Sequence, residues 1–248
     1  MLSKSKTTEL RKLLQKKYRE ETGLFIVEGG KSVDELLRSS LTVKGIWATD
    51  TWLSAHPQLS VAAEAVTEVE LARISALTTP QQVLAVACAP RYAVADFDTS
   101  AGAILLDGIR DPGNLGTIIR TADWFGFRQV VCSTDCVEFT NPKVIQATMG
   151  SFARVAVFSA DLPTFLRGST ARVFGTFLQG RPIEEVTFRR DDLLVIGNEG
   201  RGITEPVARC VTDQVHIPSY GGTGDHAESL NASVAAAVAM YAMRRQML

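Results

Sequence analysis

The sequence predicts an α/β protein. A mainly parallel sheet with helices on both faces is expected in residues 101–248, preceded by a smaller α/β domain in residues 1–95. Three observations lead there. Short apolar runs alternate with stretches of helical apolar spacing, the pattern of strands joined by crossover helices. Residues 90–100 lack strong apolar periodicity and carry Asp96, Asp98 and Ser100, which suits a linker. A chain of 248 residues is long enough for two modest domains or one large one.

In chain order, residues 4–20 read as a basic amphipathic helix with Leu10, Leu13, Leu14 and Tyr18 at helical spacing. Residues 24–28 form an apolar strand closed by Gly29-Gly30, and a helix follows over 31–39. A strand is expected at 43–49, a Glu-rich helix at 68–76 and a strand at 83–88. In the second domain, strands are expected at 103–107, 129–132, 155–158, 173–177, 193–196 and 214–217. Helices are expected at 115–125, 142–149, 161–167 and 204–210, with a long final one at 229–246.

Composition narrows the class. Hydrophobic residues make up 46% and charged residues 21%, ordinary for a globular enzyme. No apolar run reaches the ~18 residues of a membrane span, so no membrane partner is expected. The start, Met1-Leu-Ser-Lys-Ser-Lys, leads into a charged helix rather than an apolar signal core. Four scattered cysteines suit reduced thiols and a cytoplasmic location. Cys132 and Cys136 have no second Cys/His pair to complete a site, so no metal is expected. A net charge of −1 argues against non-specific nucleic-acid binding. Locally, however, Lys4, Lys6, Arg11, Lys12, Lys16, Lys17 and Arg19 face only Glu9 and Glu20. That excess could meet phosphates or form a solvated helix face.

Three polar blocks lie at strand-to-helix boundaries, where open α/β sheets bind ligands. In Asp107-Gly-Ile-Arg-Asp-Pro-Gly-Asn114-Leu-Gly116, Gly and Pro force a turn, and Asn114 lies where a cap or ligand contact belongs. Arg120 follows on an otherwise apolar amphipathic helix, either as a ligand contact or as a snorkelling surface residue. In Leu193-Leu-Val-Ile-Gly197-Asn198-Glu199-Gly200-Arg-Gly202, a strand runs into glycines that permit close backbone approach to a flat or bulky ligand. An ordinary tight turn is the other reading. The third block runs from Ile217-Pro218 through Gly221-Gly-Thr-Gly to a helix whose first turn carries Ser229 and Asn231. Ser229 could be a simple N-cap. Asn231 is disfavoured inside a helix and asks more for a reason.

In order and wording these blocks resemble the three motifs of the SpoU (TrmH-type) RNA 2′-O-ribose methyltransferases of the SPOUT superfamily. A further matching segment is Asn141-Pro-Lys-Val-Ile-Gln-Ala-Thr-Met-Gly150-Ser, and the likeness spans about residues 103–246. Residues 17–31 resemble a substrate-binding domain of the L30e fold carried by many rRNA-directed members. The resemblance implies a C-terminal trefoil knot, which apolar periodicity would never reveal. It implies S-adenosylmethionine as cofactor, held by Gly197, Asn198, Gly200, Ile217 and Leu230. It assigns catalysis to Asn114, Arg120, Glu199, Ser229 and Asn231, and implies an RNA partner and a homodimer. Ribosomal RNA is the expected substrate. Transfer RNA, or a catalytically silent RNA-binding role, is the alternative.

A ribose hydroxyl is a poor nucleophile, so catalysis must position it and stabilise developing negative charge. Arg120 is expected beside the target ribose. A guanidinium with a pKa above about 12 is ill suited to be a base, so orientation and charge stabilisation are its expected role. Asn114, Ser229 and Asn231 would position it, with Glu199 ordering the site. The loop between Pro218 and Ser229 exceeds that of typical relatives by residues 221–226, just before Leu230.

Overall fold

The computed structural model describes residues 1–221 and 227–245. In chain order the elements are α1 (Lys4–Lys12), α2 (Lys16–Thr22), β1 (Leu24–Glu28), α3 (Gly30–Leu37), β2 (Val43–Ala48), α4 (Asp50–Ala55), β3 (Ala63–Ala65), α5 (Glu68–Ile74) and β4 (Val83–Cys88). They continue as β5 (Ala103–Asp107), α6 (Pro112–Trp124), β6 (Gln129–Ser133), α7 (Pro142–Thr148), β7 (Ala156–Ala160), α8 (Leu162–Arg167), β8 (Val173–Pro182), β9 (Leu193–Gly197), α9 (Glu205–Ala208), β10 (Asp213–His216) and α10 (Ala232–Arg244). The chain divides into two compact units. One holds residues 1–91 and 138–154, the other 92–137 and 155–248.

The first unit is built on a mixed four-stranded sheet in the order β1-β4-β2-β3. Its β1–β4 and β4–β2 pairs are antiparallel and its β2–β3 pair is parallel. The single helix expected over 4–20 is in fact two. Leu13, Leu14 and Gln15 donate back to Leu10, Arg11 and Lys12 in tightened i→i−3 bonds, which end α1. Arg19, in α2, then turns inward instead of Tyr18. Its Nη1 donates to the Leu13 carbonyl (2.7 Å), and its guanidinium pairs with Glu138. Both α4 and β3 went unanticipated. A Thr67 capping box, with Thr67 and Glu70 bonded reciprocally, starts α5.

Residues 138–154 were expected inside the second domain but pack in the first unit. Asn141 caps α7 and Pro142 sits at its first position. Ile145 and Phe152 then bury against Phe25, Val27 and Val33, with the Phe25 and Phe152 rings edge-to-face at 6.0 Å.

The second unit has six parallel strands in the order β10-β8-β9-β5-β6-β7. Leu105, Val131, Leu193 and Val195 face a core shared with α8 and α9. On the other face α6 and α10 pack together and against β6 and β9. Arg244, near the end of α10, donates to the Phe125 and Gly126 carbonyls (2.9 and 3.2 Å) and stacks on Phe127 at 3.9 Å. A cation thereby meets the free carbonyls at the end of α6. β8 runs five residues beyond the expected 173–177 because it bulges against β10 between Gln214 and Val215. The final helix starts at Ala232 rather than 229. Residues 222–226 of the long loop lie outside the described residues.

Candidate active site

Strand order reverses between β5 and β9, so the site forms where a crevice opens at the strands' C-terminal ends. At the end of β5, buried Asp107 accepts from the Thr204 amide (2.6 Å). Asp111 caps α6 by accepting from the Asn114 amide (2.8 Å), with Pro112 next. This places Asn114 in the first helical turn, its side chain leaving the helix. Asn114 Nδ2 donates to the Glu199 carboxylate in the turn after β9. Asn114 Oδ1 accepts from Asn231 Nδ2 at 3.0 Å. Asn231 Oδ1 in turn caps α10, accepting from the Ser233 amide (3.0 Å) and hydroxyl (2.7 Å). One hydrogen-bonded line, Glu199–Asn114–Asn231, therefore joins the three sequence blocks. It also fixes the direction of both amides: each nitrogen faces an acceptor and each oxygen a donor. Asn231 is at once cap and tie, which accounts for its presence at the helix start.

The turn after β9 is closed by paired backbone bonds between Asn198 and Gly202 (3.1 and 2.8 Å). Asn198 Oδ1 accepts from the Gly200 and Arg201 amides (3.0 and 3.2 Å), and its Nδ2 donates to the Gly108 carbonyl at 3.0 Å. Asn198 thus locks the second block to the first. Gly197, expected to permit close backbone approach, is also required by the fold itself. A Cβ there would lie 2.3 Å from the backbone of Gly202 and Ile203, so the glycine serves a backbone crossing. Gly197→Ala is expected to cost about 1–3 kcal/mol through overpacking, read as a lower Tm by calorimetry.

Arg120 lies exposed on α6 and makes no hydrogen bond or ion pair among the described residues. Trp124, one helical turn on, is 84% exposed. Ser229 is exposed, has no hydrogen bond among the described residues and precedes α10 instead of lying in its first turn. Of the five polar candidates, Asn114, Glu199 and Asn231 meet, while Arg120 and Ser229 stand outside that network.

At the neighbouring strand ends, Ile217 is half-buried just after β10 and Leu230 is exposed before α10. Leu178, in the bulged part of β8, is 77% exposed, which the sequence did not suggest. A leucine in an apolar strand carries no sign of exposure; only the bulge in β8 brings it out. Gly175 of β8 lies opposite Val195, so Leu178 falls just past the end of β9. His216 Nδ1, beside Ile217, is buried without a hydrogen-bond partner among the described residues. Ile217 and the unsatisfied His216 ring nitrogen therefore adjoin at the end of β10.

Comparison with known proteins adds the family context. The SpoU rRNA Methylase family matches residues 102–241, and the MRM3-like substrate binding domain matches residues 4–85. The chain is 34% identical over 96% of both lengths to the 23S rRNA (guanosine(2553)-2′-O)-methyltransferase RlmP of Bacillus subtilis. The AdoMet-bound rRNA methyltransferase from Sinorhizobium meliloti superposes with a TM-score of 0.88 at 27% identity, covering 100% of this chain and 98% of that one. A TrmH-family protein from Porphyromonas gingivalis reaches 0.89 at 36% identity, covering 99% of each chain.

Proposed function

The chain belongs to the SpoU rRNA methylase family of S-adenosylmethionine-dependent ribose 2′-O-methyltransferases, and we propose that its substrate is 23S ribosomal RNA. The observation that carries the site assignment is the Glu199–Asn114–Asn231 line, which gathers all three blocks at the C-terminal ends of β5 and β9. S-adenosylmethionine supplies a methyl group already activated on a sulfonium. The chain's own groups act on the acceptor. Arg120 contacts the target ribose and its phosphate and offsets negative charge developing on the 2′-oxygen, while the proton leaves through phosphate or water. Glu199 and Asn231 hold Asn114, whose helix carries Arg120. Leu178, Ile217 and Leu230 cover the adenine, with backbone contacts at Gly197. Asn198 and Gly200 act by shaping the turn, since their amide donors are already engaged within it.

The test is methyl-labelled S-adenosylmethionine with unmodified 23S rRNA, 16S rRNA and tRNA, followed by mapping of alkali-resistant ribose positions. Label in a 23S rRNA guanosine is expected. Label in tRNA alone would overturn the substrate, and label in no RNA the activity.

A homodimer is part of this reading, and a cytoplasmic site of action goes with it. Val234, Val238 and Tyr241 are exposed at i, i+4 and i+7 on α10. Tyr241 approaches Phe125 at the end of α6, with ring centroids 6.1 Å apart. An apolar stripe of this kind, with Trp124 nearby on α6, suits a self-complementary two-fold contact. Light scattering is expected to give a dimer, and Tyr241→Glu a monomer with lost transfer. A monomeric, fully active parent would refute the dimer.

A further inference from the structure

Beside the catalytic line lies a charged cluster that it does not use. Asp135, in the turn after β6, receives Arg110 Nη2 at 3.1 Å and Arg201 Nη2 at 3.5 Å on one carboxylate oxygen. Its other oxygen accepts from the Ser133 hydroxyl at 2.7 Å. Arg110 comes from the loop after β5 and Arg201 from the turn after β9, so three loops converge. Gly108, whose φ of +71° disfavours other residues, borders this space. A Cβ there would sit 3.4 Å from both Arg201 Nη2 and Asp135 Oδ2. The Ser133 hydroxyl foremost, and then both arginines, hold Asp135 below the usual carboxylate range, so it remains an anion at neutral pH. The sum over the three side chains is one surplus positive charge. Both guanidiniums are more than half exposed, with donors left over after one carboxylate oxygen is served.

We propose that Arg110 and Arg201, pre-oriented by Asp135, clamp a backbone phosphodiester of the RNA flanking the target nucleotide. This rests on the methyltransferase reading and adds a second anchor to it. Two tethered forks match a phosphate's geometry and lose less freedom on binding than free arginines would. Arg110 lies in the loop before α6 and Arg120 eight steps into that helix, about 12 Å of helix axis beyond Pro112, so the two arginines sit at different points along it. The clamp is assigned to a phosphate flanking the one at Arg120. An RNA phosphate also fits better than the cofactor's carboxylate: the cluster is open to solvent on polar loops, whereas the apolar cover lies at Leu178, Ile217 and Leu230. Asp135 is a positioning residue; the two arginines touch the ligand.

The test compares the full-length parent with Arg110→Ala, Arg201→Ala, the double alanine variant and the double lysine variant. Readouts are RNA binding across a salt series, KM and kcat for the RNA, and S-adenosylmethionine affinity. The double alanine variant is expected to bind RNA about 5- to 20-fold more weakly. Its slope of log affinity against log salt should be shallower by about 0.7, with the loss falling on KM. The double lysine variant should keep the parental slope, because charge is retained, yet regain only part of the affinity. Unchanged affinity and slope would overturn the clamp. Weakened S-adenosylmethionine binding with intact RNA binding would overturn it in favour of the cofactor's carboxylate. A parent that binds RNA but methylates none would count against the activity alone, since the salt slope still decides the clamp.

Discussion

Replacing Arg120 by alanine is expected to lower methyl transfer about 10²–10³-fold, the usual loss when one preorganised group facing developing charge is removed. Cofactor affinity should not change, because the residues proposed to cover the adenine, Leu178, Ile217 and Leu230, lie on other elements. Fold stability should stay within about 0.5 kcal/mol, as for a surface substitution. The reason is geometric: Arg120 is exposed and bonds to no described residue, so nothing in the native fold depends on it. Its cost is therefore legible as chemistry. Arg120→Lys keeps the charge and loses the planar fork, so only partial recovery is expected. Single-turnover assays, calorimetric titration of the cofactor and thermal melts measure the three quantities. Near-normal turnover in the alanine variant would transfer the role to another group.

The second large effect is on stability. Glu138→Ala is expected to cost about 3–5 kcal/mol, because it leaves the Arg19 guanidinium buried without its counter-ion. At about 2–4 °C per kcal/mol for a chain of this size, Tm should fall by roughly 10 °C. The Arg19 side chain is only 3% exposed and that of Glu138 16%. Burial already pushes Arg19 below its ordinary pKa. By contrast, Lys16–Glu20 on the same helix is exposed on both sides, and breaking it should cost under about 1 kcal/mol. The double change Arg19→Met with Glu138→Leu removes both charges and should recover most of the loss. If Glu138→Ala melts like the parent, the pair does not hold the first unit together.

How much was legible beforehand differs between sheet and site. Strand positions in the second unit were close except for the last five residues of β8, because β5, β6 and β9 are buried and must be written in apolar residues wherever they pair. Helix ends were less legible. Residues 4–20 show unbroken helical spacing, yet α1 ends in i→i−3 bonds at 13–15 and α2 turns Arg19 inward to Glu138, a partner 119 positions away that no local pattern names. The same holds for residues 138–154. Their helix was foreseen from Asn141-Pro142, but its packing against Phe25 is long-range.

The three polar blocks, the family resemblance they carry, and hence the cofactor and reaction were all contained in local wording. Tertiary structure alone decided which of those residues meet. Asn114, Glu199 and Asn231 join because β5 and β9 are neighbours although β6, β7 and β8 intervene in sequence. Arg120 faces outward because helical rotation carries it away from that line. That Gly197 must be glycine because the backbone of Gly202 and Ile203 passes beside it, and that a bulge leaves Leu178 exposed, are likewise tertiary facts. Composition and periodicity record what each segment can bury. They hold no record of which loop ends the sheet order will place side by side, and a site assembled from three loops is defined by that adjacency.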